Sequence, residues 1–116
     1  MDTDLTVLAR EWVAAWNAHD LDRILSHYTE DVVFRSQKAI ALTGSGEVRG
    51  KPALRAYWGR ALEQQPDLHF TLRDMFHGHR MMVVTYLNHR GVKASEVLMF
   101  DDAGLVHQAA ACHVPE

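Results

Sequence analysis

A chain of 116 residues with 47% hydrophobic and 23% charged side chains is one ordinary globular domain, spanning 1–116, with room for a single core. A formal net charge of -3, with no interleaving of aromatics and Lys or Arg clusters, leaves no basic footprint for nucleic acid or an anionic membrane. Cys112 is the only cysteine, the start M-D-T-D-L-T lacks a basic-then-apolar leader, and no apolar run approaches the ~20 residues that span a bilayer. These features exclude an intrachain disulfide scaffold and point to a cytoplasmic protein.

In chain order, Leu5, Leu8, Ala9, Trp12, Val13 and Trp16 recur at helical spacing and predict a helix from about Asp4 to Ala18, capped by Asp2 or Thr3. Asp20 caps a shorter second helix with Leu21, Ile24, Leu25 and Tyr28 on its apolar side. Val32, Val33 and Phe34 begin a strand that ends near Ser36. The segment from Lys38 to Gly50 carries three glycines in G-S-G-E-V-R-G and reads as a mobile turn or flap. Pro52 opens a third helix from about Lys51 to Gln65, striped by Leu54, Tyr57, Trp58, Ala61 and Leu62, and Pro66 ends it.

From Leu68 the period changes to two. The spacing predicts strands at Leu68 to His77, Arg80 to His89, Ala94 to Phe100 and Leu105 to His113. Turns fall at H-G-H, R-G-V and D-D-A-G. Helices first and an antiparallel meander afterwards make an α+β domain with its helices on one face.

Alternation divides the sheet into two faces. Met82, Val84, Tyr86 and Asn88 share one, and Met81, Val83, Thr85 and Leu87 the other, so both are largely apolar. Three helices cover only one of them. The exposed face, which also carries Val97, Met99, Ala110 and Cys112, calls for a homodimer through the outer sheet face, the alternative being cover by the C-terminus or a loop.

The inner face of the Ala94 to Phe100 strand holds Ala94, Glu96, Leu98 and Phe100. A carboxylate among such neighbours must be paired, neutral or useful. Ala109 and Ala111 on the last strand leave a void beneath the aromatic-bearing helices, and pairing across the D-D-A-G hairpin sets Glu96 opposite Ala109. Tyr86, Asn88, Trp12, Trp16 and Trp58 complete an apolar cavity with a few convergent polar groups, the usual form of a small-molecule site.

The segments W-V-A-A-W-N-A-H-D-L-D-R-I-L-S-H-Y-T-E-D-V-V-F, R-G-K-P-A-L-R-A-Y-W and E-V-L-M-F-D-D-A-G-L-V resemble the SnoaL-like branch of the nuclear transport factor 2-like superfamily. The resemblance implies a cone, a curved antiparallel sheet wrapped around three helices, with a pocket at its wide end and frequent dimerisation through the outer face. Because this superfamily mixes enzymes with non-enzymes, it says little about chemistry. Ketosteroid isomerase, a relative within it, uses an aspartate base and an oxyanion hole of a tyrosine and a protonated aspartate. By this resemblance the oxyanion tyrosine falls on Trp12, the base on Ser36, the protonated acid on Glu96 and a supporting tyrosine on Tyr28. Losing the base and the main donor argues against steroid isomerisation, although the Trp12 indole N–H can still donate one hydrogen bond.

The expected site therefore has Glu96 as acid and His113 as acid/base partner. Trp12, Trp16, Tyr28, Phe34, Ser36, Trp58, Tyr86, Asn88, Leu98, Ala109 and Ala111 contact the ligand. Set against this, Glu96 as half of a structural pair would need Arg55, Arg73 or a histidine, and His113 has a bland alternative as a rim histidine. Ser36 lacks the G-x-S-x-G turn of a nucleophile. The eight histidines lack E-x-x-H spacing, so neither a metal nor another cofactor is expected. The functional expectation is a small, mostly apolar carbonyl or hydroxyl compound in the cone. It is turned over by isomerase, cyclase or dehydratase chemistry, or bound without turnover; a filled cone would instead make the chain a purely structural oligomerisation domain.

Overall fold

Two capping carboxylates and one amide set the path of the helical half. In the computed structural model, which describes residues 4–115, Asp4 caps α1 (Leu5–Asn17) by accepting from the Thr6 and Val7 amides. The expected caps, Asp2 and Thr3, lie outside the described residues. Ala9, Trp12, Ala15 and Trp16 form the buried stripe. Asp20 accepts from the Arg23 amide and caps α2 (Leu21–Leu25), as its sequence position predicts.

Between the two helices the chain bends through His19, whose φ of 54° lies in the left-handed region that histidine tolerates better than most residues. Asn17 donates to the Phe70 carbonyl at 2.9 Å and accepts from the Phe70 amide at 2.7 Å, while His19 Nε2 lies 2.8 Å from the Leu68 carbonyl oxygen. The N-A-H-D segment thus ties the end of α1 to the chain that enters the meander. This also explains why β3 (Thr71–Gly78) starts three residues later than alternation predicts. The Leu68 carbonyl and both backbone groups of Phe70 are taken by side chains, and the Leu68 amide by the Gln65 carbonyl, instead of a strand partner.

β1 (Tyr28–Ser36) absorbs Tyr28 and T-E-D, which the sequence assigns to a helix face and a break. Lys38 to Gly50 is not a flap. It forms α3 (Ala39–Thr43), ended by Gly44 at φ 80°, and β2 (Glu47–Arg49), which pairs Phe34 with Val48. Arg60 holds this insertion by donating to the Leu42 carbonyl at 2.8 Å. α4 (Lys51–Gln64) follows with Pro52 in its first turn and Leu54, Tyr57 and Trp58 buried, making four helices where three were expected.

β4 (Met81–Leu87), β5 (Lys93–Phe100) and β6 (Val106–His113) complete the meander, all antiparallel. The β3–β4 turn falls at residues 79–80, with Arg80 at φ 53°. β1 joins in parallel beside β6, so the curved open sheet runs β2-β1-β6-β5-β4-β3. Met82, Val84, Tyr86, Ala94, Leu98 and Phe100 are buried on its inner face against the helices, as alternation predicts. On the outer side Arg35 pairs with Glu47 at 3.3 Å.

Replacing Asn17 with Ala removes both bonds to Phe70 and is expected to destabilise the protein by about 1–3 kcal/mol. Thermal unfolding followed by circular dichroism measures this; an unchanged midpoint would show that the tie contributes nothing.

Candidate functional site

Glu96 sits mid-way along β5 with Val84 of β4 on one side and Ala111 of β6 on the other. Only 4% of its surface is exposed, and among the described residues no hydrogen bond or ion pair reaches its carboxyl. Of the structural partners considered for it, Arg55 pairs with Asp22 at 2.7 Å, and Arg73 forms no ion pair among the described residues. Burial alone pushes the carboxyl well above its ordinary range and favours the neutral acid.

The pairing differs from the sequence expectation. Leu98, not Glu96, faces Ala109, because the ladder is irregular beyond Met99 and Phe100 meets Val106 while Met99 meets Gln108. The slip amounts to two residues, so each side chain keeps its face. What changes is the neighbour: the small Ala111 methyl stands beside the Glu96 carboxyl and leaves it room.

Three phenols surround the acid. Burial raises the Tyr28, Tyr57 and Tyr86 hydroxyls above their usual value, and the nearby Glu96 charge adds to the effect in each case. All three therefore remain O–H donors at any physiological pH. Trp12 Nε1 donates to the Tyr28 hydroxyl at 3.1 Å, so this indole N–H is already committed. Tyr57 hydrogen-bonds with Ser36, whose Oγ also accepts from the Lys38 amide at 3.2 Å. The Tyr86 hydroxyl makes no hydrogen bond among the described residues.

A cavity of about 90 Å³ opens onto this group. Glu96, His113, Trp12, Trp16, Phe34, Ser36, Trp58, Tyr86, Asn88 and Ala111 all line it. Tyr28, Leu98 and Ala109 lie instead in the packed core below. Asn88 is partly occupied elsewhere, since its Oδ1 accepts from the Arg90 and Val92 amides and shapes the β4–β5 turn. Tyr57, Lys38, Gln65 and His89 also line the cavity, and sequence reasoning left them out. For Tyr57 a signal existed: a tyrosine in a buried helical stripe needs somewhere to send its hydroxyl.

The void is narrower than small side chains on β6 suggest. Phe70 stacks on Trp12 at 5.8 Å and lies 4.2 Å from Tyr86 between ring centres, and Trp16 meets Trp58 edge-on at 5.0 Å. These rings fill most of the cone. The remaining space equals about three waters at roughly 30 Å³ each, well below the ~300 Å³ of common drug-sized sites.

This arrangement, a mixed six-stranded sheet curving over helices with a polar cavity beneath its centre, defines an NTF2-like fold. The chain belongs to the SnoaL-like family, whose domain model matches residues 9–109. A SnoaL-like protein of unknown function from Burkholderia thailandensis E264 is 37% identical, with 99% of this chain and 100% of that one covered and a TM-score of 0.91. AclR from Streptomyces galilaeus, a proposed hydroxylase, is 22% identical over 93% of this chain and 86% of that one, with a TM-score of 0.73. A proposed isomerase of the SnoaL-like family from Agrobacterium tumefaciens C58 is 14% identical over 95% and 97% of the two chains, with a TM-score of 0.75. The last two likenesses establish the fold alone. No curated protein is detectably similar in sequence.

An acid whose folded pKa is raised binds its proton more tightly in the native than in the unfolded state. Its contribution is therefore fully present below the ordinary value of 4.5 and is lost as pH rises toward the folded pKa. Glu96→Gln is expected to match the wild type near pH 4 and to be more stable by about 1–3 kcal/mol near pH 8, the usual cost of an unpaired buried polar group. Calorimetric unfolding across that range measures the difference. A destabilised variant at pH 8 would mean that the carboxylate has a stabilising partner.

Proposed function

We propose that the protein binds a small, mostly apolar carbonyl or hydroxyl compound in the cone and acts on it by cofactor-independent acid/base chemistry of isomerase, cyclase or dehydratase type. The observation that carries this reading is the buried, unpartnered Glu96 on the wall of a cavity. As a neutral acid it donates a hydrogen bond to a ligand oxygen and can pass its proton there as negative charge develops. Tyr86, whose hydroxyl lacks a partner among the described residues, supplies a second donor to the same oxygen. His113 on β6 takes a proton from the ligand carbon and delivers it to a second ligand position, while the ligand oxygen returns its proton to Glu96, so both groups end in their starting states without an external reagent.

A second reading, binding without turnover, draws support from the base position. Ser36 stands where the ketosteroid isomerase aspartate aligns, and its hydroxyl already serves Tyr57 and the Lys38 amide. The two readings separate on one variant. Once a turned-over ligand is in hand, Glu96→Gln should lower kcat by roughly 10²-fold or more while Kd moves by less than about tenfold. A loss confined to Kd would favour the binder.

We further propose a homodimer through the outer sheet face. Phe76 is 60% exposed and Met81 37%, and Val83, Leu87, Val97 and Met99 around them are only half-buried, an apolar surface no helix covers. Cytoplasmic residence is proposed on the exposed, lone Cys112, and no helix among the described residues is long and apolar enough to cross a membrane. Native mass spectrometry should show twice the chain mass for the wild type and a monomer for Val97→Glu. A wild-type monomer at micromolar concentration would overturn the dimer.

A further inference from the structure

The strand register places a second polar group across the cavity from Glu96. On the inner face Ser36 of β1 pairs with Ala111 of β6, and Ala111 pairs in turn with Glu96 of β5. Ser36, Ala111 and Glu96 therefore form one row over three neighbouring strands, and all three line the cavity. Ser36 is 5% exposed and Glu96 4%, so both ends of the row are cut off from bulk water. The Ala111 methyl is the floor between them.

Ser36 does not act alone. Its Oγ accepts from the Lys38 amide, and it hydrogen-bonds with Tyr57, a second buried residue of the lining. Together the two side chains carry two hydroxyl protons, and their mutual bond uses one. Among the described residues no acceptor takes the other, whichever oxygen carries it. An enclosed O–H without an acceptor is unfavourable, and a ligand oxygen removes that penalty. Unused donors thus stand on both sides of Ala111: the Glu96 acid, kept neutral by burial, and the spare hydroxyl of the pair.

The row also sets the distance between them. Side chains on one face stand roughly perpendicular to the sheet, so Ser36 and Glu96 are separated by two strand spacings, about 9.5 Å. A hydrogen bond of about 2.8 Å at each side leaves roughly 4 Å between two ligand oxygens, the reach of a three-carbon unit with an oxygen at either end. A carboxylate carries both oxygens on one carbon, too close together to span this gap. A cavity of about 90 Å³ admits a head of only a few heavy atoms, which is the scale of such a unit.

We infer that the ligand head is a neutral 1,3-dicarbonyl, with one oxygen on Glu96, the other on the Ser36–Tyr57 pair and the central carbon over Ala111. This rests on the reading of the Glu96 cavity as a ligand site and adds the chemical class of its occupant. The carbon between two carbonyls carries the proton most easily removed, which suits acid/base chemistry at this place.

The test is a nitrogen-15 NMR titration of the full chain with pentane-2,4-dione and, separately, pentan-2-one, at pH 6, where both are neutral. Both compounds should shift the amides of Glu96 and Ala111, and only the dione those of Ser36 and Tyr57. The dione should bind about three- to tenfold more tightly, the gain from one further hydrogen bond. Either residue of the pair leaves one free O–H when the other is removed, so the decisive variant is the double one, Ser36→Ala with Tyr57→Phe. It should bring the dione down to the affinity of the ketone; a preference that survives it would overturn the assignment to the pair. The comparison on the wild-type chain stands whether or not that variant folds. If both compounds shift Glu96 and Ala111 and the dione binds no better, the ligand site stands and the dicarbonyl class is wrong. If neither compound moves those amides, both readings fall.

Discussion

The chemistry of the cavity depends on an unpaired carboxyl group held on the inner face of a central strand. Glu96 occupies a position that Met82, Val84 and Leu98 occupy elsewhere on the same face, all of them fully buried and apolar. A leucine there would pack without cost, whereas an acid without a partner is among the less favourable groups to enclose. Nothing in the fold requires it, since the ladder to β4 and β6 uses only its backbone. The surrounding phenols do not neutralise it; burial suppresses their own ionisation, and its proximity adds to the effect. What the arrangement retains is a proton held close to open space, the use to which raised acids in clefts are commonly put.

The aromatic cluster determines how that proton is reached. Trp12, Trp16, Trp58, Phe70 and Tyr86 stabilise the cone by burying large faces against one another, and in doing so they shrink its interior. Stability and access are opposed here. The compromise is a small chamber that leaves the Glu96 carboxyl beside open space. A filled cone with no chamber would have marked a purely structural module; the chamber speaks against that.

Much of the architecture was legible because its signals are periodic. Alternation assigned each β4 and β5 side chain to the correct face, and Asp20 and Pro52 marked helix starts by their local chemistry. The failures share a physical cause, non-local bonding. Nothing in the sequence shows that Asn17 and His19 will claim the backbone at Leu68 and Phe70 and delay β3, or that β1 will dock in parallel on β6. The short α3 and β2 were hidden because glycines that read as looseness serve there as a helix stop and a strand entry. For the site, the inward placement of Glu96 followed from a period of two, but its neighbour depended on a bulge beyond Met99 that alternation does not encode. Tyr57 and Lys38 come to the cavity from elements distant in sequence, and no local pattern links them to Glu96.

The protonation state of that one side chain is the most direct measure of the account. With the glutamate side-chain carboxyls labelled with carbon-13, the Glu96 resonance followed by NMR from pH 3 to pH 9 reports its titration. The account predicts a signal that keeps the shift of a neutral acid through pH 7, while the exposed glutamates titrate in the ordinary range. A Glu96 signal that titrates with the others, near 4.5, would mean that the carboxyl is solvated or paired in solution and that the cavity holds no special acid.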